Sequence, residues 1–156
     1  MQLRGTDLVV DKIRAKKNVV SGAGATYTLN KNQSGSTVLF DRAAGIVYTL
    51  PLAEPGVYFD FCVSVTVTSN AAKIITAAGT ELMVGSILNC DTETSDAVAI
   101  WKSLVAAGNV AVSMDGSTKG GIKGDWIRVT CLNSTSWEVH GMINSTGTVA
   151  TPFATS

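Results

Sequence analysis

Apolar and polar side chains alternate through most of this chain, and one stretch carries the pattern furthest. Over residues 57–68, Val57, Phe59, Phe61, Val63, Val65 and Val67 fall on one side of an extended backbone. Tyr58, Asp60, Cys62, Ser64, Thr66 and Thr68 fall on the other. A period of two belongs to a half-buried β-strand, and a helix does not produce it. At ~3.3 Å per residue the run would span roughly 40 Å. Pro55 and Gly56 punctuate its start, Ser69 and Asn70 its end. A face this apolar requires a second layer over it, so the pattern predicts a core strand inside a layered body.

Shorter runs repeat the theme. Residues 25–29, 36–40 and 46–50 each predict a strand, the last stopped by Pro51. Residues 72–76 and 81–84, with Gly79 between them, predict a hairpin, and 87–90 a continuing strand. Val110, Val112 and Met114 alternate again. Residues 125–132 and 136–140 flank Asn133-Ser-Thr and predict a second hairpin, with Trp137 and Val139 sharing a face. The one helical candidate is Ala97, Trp101, Leu104 and Val105, with Ser95 able to cap its start and Gly108 its end. Its competitor is a buried strand around Val98-Ala-Ile-Trp; the helix is the favoured reading. The Gly-rich stretch 115–124 reads as a mobile hairpin connection. The sum is an all-β chain: a β-sandwich or jelly-roll-like body of about eight or nine short strands with one short helix. An N-terminal arm (1–20) precedes the body (21–143), and an extended C-terminal tail (144–156) follows it.

Composition sharpens this picture. Of 156 residues 46% are hydrophobic but only 15% are charged, and the formal net charge is zero. No global field would draw the protein to nucleic acid or an acidic membrane. No apolar run exceeds five residues, so neither a membrane helix nor a secretory leader is expected, and synthesis in a cytoplasm is. Charge concentrates at one end: Arg4, Lys12, Arg14, Lys16 and Lys17 face only Asp7 and Asp11 in the first 17 residues. The segment reads equally as a partner-binding arm, using Leu8 and Val9 as well as these bases, or as a solvated tail. Leu8-Val-Val10 and Val19-Val20 are each suited to a short edge strand.

The chemistry is sparse. Cys62, Cys90 and Cys131 are odd in number and contain no CxxC, so buried free thiols are expected, with neither disulfide nor zinc site. His140 is the only histidine and points to solvent by the alternation of its strand; a triad built on it would need Glu138 at a strained reach. Asp91, Glu93 and Asp96 lack the spacing of a calcium loop. The Gly-rich stretch places Ile122 where a phosphate-binding loop needs Lys. Trp101, Trp126 and Trp137 could stack on sugar, but core packing or subunit contact is the more economical reading. No enzyme, cofactor or metal is expected.

The order of motifs adds a resemblance. Ser34-Gly35, Ile46-Val-Tyr-Thr-Leu-Pro51, Gly56-Val-Tyr-Phe-Asp-Phe61, Gly120-Gly-Ile-Lys-Gly-Asp-Trp126, Trp137-Glu-Val-His-Gly141 and Thr151-Pro152 follow one another through residues 25–153. This resembles the small β-rich structural proteins of tailed bacteriophages that decorate or cement capsids. The resemblance implies a sandwich-like body, a homotrimer on the outer capsid surface of the virion, the major capsid protein as partner, and no enzymatic activity. Some tail-fibre domains look similar, which leaves an alternative: a receptor-binding module that recognises host glycan through Trp101, Trp126 or Tyr58.

Overall fold

A computed structural model describes residues 17–93, 98–103 and 108–156. Among these residues twelve strands form two mixed sheets, and the fold is an all-β sandwich. The strands are β1 (Val19–Ser21), β2 (Thr26–Thr28), β3 (Thr37–Phe40), β4 (Val47–Thr49), β5 (Tyr58–Val63), β6 (Ala72–Ile75), β7 (Leu82–Asp91), β8 (Val98–Lys102), β9 (Ala111–Met114), β10 (Trp126–Asn133), β11 (Ser136–Ser145) and β12 (Phe153–Ala154). One sheet runs β1-β3-β5-β10-β11-β7-β8, the other β12-β9-β6-β4-β2.

From β1 to β6 the chain changes sheet at every strand. The pairs β1–β3, β3–β5, β2–β4 and β4–β6 are consequently all parallel. The first half is thus a flattened coil whose successive turns stack. The second half is different: β10 and β11 form an antiparallel hairpin, inserted between β5 and the long β7. The core lies between the sheets. Phe40, Tyr48 and Phe61 form its centre, with ring centroids 5.2 to 5.8 Å apart. The Tyr48 hydroxyl donates to Leu39 O at 2.7 Å and accepts from Gly22 N at 3.0 Å, tying the β1–β2 turn to the core. Burial pushes its pKa up to about 12.

Four expectations are corrected. The core strand stops at Val63, because Ser64 N and Val65 N both donate to Phe40 O, at 3.0 and 3.2 Å. That irregularity turns the chain away: Val65 is exposed, whereas Val57, Phe59, Phe61, Val63 and Val67 are buried as expected. Residues 98–102 form a strand, not a helix, since pairing with β7 outweighs the helical spacing; Ala97, Leu104 and Val105 lie outside the described residues. Residues 72–76 and 81–84 are not a hairpin, because β6 and β7 belong to different sheets. The Gly-rich stretch likewise joins two sheets, β9 to β10, and it is pinned. Gly116 has φ +80°, and a Cβ there would lie 1.8 Å from Val67 O. The extended C-terminal tail is docked on the body: β12 pairs with β9, and Pro152 and Phe153 are buried.

Candidate functional site

Two buried carboxylates are the first places to look for chemistry, and both are structural. Asp125 accepts from Gly121 N (2.8 Å), Ile122 N (3.0 Å), Asn144 N (2.9 Å) and Asn144 Nδ2 (2.8 Å). Burial raises its pKa against these four donors, which pull it down. Its oxygens are consumed in fastening the Gly-rich loop to β11. Glu81 accepts from Ala53 N at 2.9 Å and from Trp137 Nε1 at 3.1 Å, bracing the turn before β5 against β11. A shallow recess lined by Phe40, Phe61, Val63, Met114, Asp125, Trp126 and Ile127 has no room even for a water molecule, against the ~300–1,000 Å³ of ordinary ligand pockets. His140 is exposed, with Nε2 3.1 Å from Glu138 Oε1, so Glu138 lies within easy reach after all. No serine or cysteine is bonded to that pair among the described residues. No metal-holding group of His, Cys, Asp and Glu occurs among them either. Cys131 is buried, while Cys62 and Cys90 are half-buried; burial raises the Cys62 and Cys131 thiols.

The distinctive feature is the outward face of the seven-stranded sheet. Strand pairing aligns Leu39, Cys62, Trp126, Met142, Leu88 and Ile100 in one row running across six strands. All six point away from the core, as the alternation of their strands requires. Trp126 is 46% exposed, Met142 43% and Ile100 72%. The sandwich's second layer lies on the other side, so nothing among the described residues covers this row.

A polar row runs alongside it: Thr37, Asp60, Arg128, His140, Ser86 and Lys102. Arg128 grips Asp60 with Nε (2.5 Å) and Nη2 (2.9 Å), and its guanidinium lies 5.5 Å from the Tyr58 ring centroid. Lys17 Nζ bonds the same carboxylate. The hydrogen bonds from Arg128, chiefly, hold the Asp60 carboxyl below its ordinary range.

The row ends on β8, an edge strand. Ser103 N donates to Gly85 O at 2.9 Å, which sets the phase of the ladder. Ala99 and Trp101 bond toward β7, and the backbone groups of Val98, Ile100 and Lys102 face away from the sheet. Val98 is 63% exposed. On the inner side of this end, the Asn89 amide and Trp101 Nε1 have no hydrogen-bond partner among the described residues.

Of the arm residues, Lys17 belongs to the body through Asp60, and Val19-Val20 is an edge strand as expected. Arg4, Leu8, Val9, Lys12, Arg14 and Lys16 lie outside the described residues. Among the tryptophans, Trp137 is core, Trp101 half-buried, and Trp126 sits in the outward row. The row itself escapes sequence reasoning, because its members are dispersed from Leu39 to Met142 and meet only through register. Compared with known proteins, the chain matches no family model, no curated protein and no solved structure.

Proposed function

We propose that this chain is a structural protein of a phage virion that decorates and stabilises the capsid. In this reading it attaches to the major capsid protein, with the basic residues Arg4, Lys12, Arg14 and Lys16 contributing, and associates with further copies of itself, as a homotrimer. The observation that carries the reading is the uncovered apolar row on the outward face of the seven-stranded sheet. Contiguous exposed apolar surface rimmed by polar residues is a mark of protein contact sites. The motif order along the chain supplies the phage assignment by resemblance, and the two buried carboxylates, Asp125 and Glu81, are occupied in holding loops.

The test is the mass of the purified protein, followed by co-sedimentation with capsids stripped of it. A trimer that rebinds saturably is expected, and deletion of residues 1–16 should abolish binding while leaving the body folded. The deletion stops at 16 because Lys17 and β1 are part of the body. A protein that ignores capsids and a truncation that binds fully would each count against the reading. One observation favours a second reading, a tail-fibre module: the half-exposed Trp126 ring offers a flat face to sugar C–H groups. Binding on a glycan array that disappears in Trp126→Ala would move the protein there.

A further inference from the structure

We propose that the edge of β8, which no described residue covers, is completed by residues 7–11 of a neighbouring copy, added as an extra strand. The inference rests on the self-association just proposed and names the contact that would mediate it.

An edge strand with apolar side chains and outward-facing backbone groups is a template for another strand. β8 presents Val98, Ile100 and Lys102 on its outward face and Ala99 and Trp101 on its inner face. Residues 7–11 read Asp-Leu-Val-Val-Asp. Laid beside β8 with Val9 opposite Ile100, this segment puts Asp7 and Asp11 on the outward face. In either strand direction one of these carboxylates lies opposite Lys102. Leu8 and Val10 then fall on the inner face beside Ala99 and Trp101. Val9 becomes the next member of the apolar row, after Ile100. Charge, apolar pattern and parity agree at four of the five positions, and the second carboxylate lies opposite Val98 at the solvent-exposed end.

Reach favours another copy. β1 and β8 are opposite edges of a seven-stranded sheet. At ~4.8 Å per spacing, a strand added outside β8 lies about 34 Å from β1. The ten residues from Val19 on β1 back to Val9 span at most about 35 Å when fully extended. The chain would meet its own β8 only if drawn straight and taut across the sheet, whereas a neighbour's β8 carries no such demand. Donation from each copy to the next is head-to-tail, and it closes a ring when the rotation between copies permits.

The test uses two differently tagged full-length chains, one with Val9→Cys and one with Ile100→Cys, each also carrying Cys62→Ser and Cys90→Ser. Residues opposite each other in a ladder lie ~5.5 Å apart at Cα, within disulfide range. Coexpression and air oxidation should join the two tags at least tenfold more than a control pairing Ile100→Cys with Leu52→Cys, an exposed position on a loop. In parallel, Lys102→Asp should weaken association about tenfold, and adding Asp7→Lys and Asp11→Lys should restore it. An oligomer with no excess cross-link and no charge rescue overturns the inference and leaves self-association standing. A monomer by mass, at the concentrations where the tags are mixed, overturns both.

Discussion

The two edges of the seven-stranded sheet are built differently. At one end β1 is three residues long, its Ser21 hydroxyl donates to Asp41, and Lys17 just before it is tied to Asp60. At the other end β8 is five residues long, carries Val98 and Ile100 into solvent, and receives the end of the apolar row. Short strands with nearby charge are how soluble proteins blunt an edge. The chain applies this at β1, whereas β8 is longer and carries charge only at Lys102 on its end, which makes β8 the edge suited to a partner.

The largest effect on this contrast should come from beneath β8. Gly85 of β7 has φ +126°, and a Cβ there would lie 2.2 Å from Val139 O. Gly85→Ala should cost about 3 kcal/mol or more, from backbone strain and loss of the β7–β11 approach. Denaturant unfolding would show it, and a midpoint within error of wild type would refute the packing described. Next comes Glu81→Ala, which strands the buried Trp137 Nε1 and Ala53 N. The expected loss is about 2 kcal/mol, measured the same way. Ile100→Lys should leave folding stability within about 0.5 kcal/mol while reducing self-association, read by sedimentation; unaltered association would remove β8 from the interface.

At the blunted edge, effects should be smaller and depend on pH. The folded-state pKa of Asp60 is lowered, so its contribution to stability is present above the ordinary carboxylate range and is lost as pH falls through the folded value. Asp60→Asn should therefore lower stability modestly at neutral pH and flatten the acid side of the curve, converging with wild type at low pH. An unchanged acid limb would show that the cluster with Arg128 and Lys17 contributes nothing. Smallest of all, Val19→Lys on β1 should alter neither stability nor association appreciably.

Much of the fold was legible because alternation survives wherever one face of a strand is buried. The β10–β11 hairpin around Asn133 and the strands at Thr26, Thr37 and Val47 follow from it. Strand direction and layer do not, since a period of two is the same for parallel and antiparallel pairs. That is why β6 and β7 read as a hairpin while lying in separate sheets. The apolar–polar pattern continues past Val63, but the paired donation to Phe40 O ends the strand, an event set by a neighbour distant in sequence. At β8 two periodicities compete within a few residues, and only tertiary pairing decides between them. Asp125 and Glu81 gave no signal, because a buried carboxylate is recognisable only from the N–H groups around it.

The alternation of β1 to β6 between sheets also bears on how the polypeptide reaches this shape. No two consecutive strands in that half can zip together locally, so each pairing must close a long loop before it is rewarded. The β10–β11 hairpin needs only a short turn, and it offers one side to β5 and the other to β7. Folding should therefore start near the end of the chain and propagate backwards, with β5, β3 and β1 added in turn. The order runs opposite to synthesis: a ribosome delivers the coiled half first, and that half waits, unpaired, for the hairpin that nucleates it.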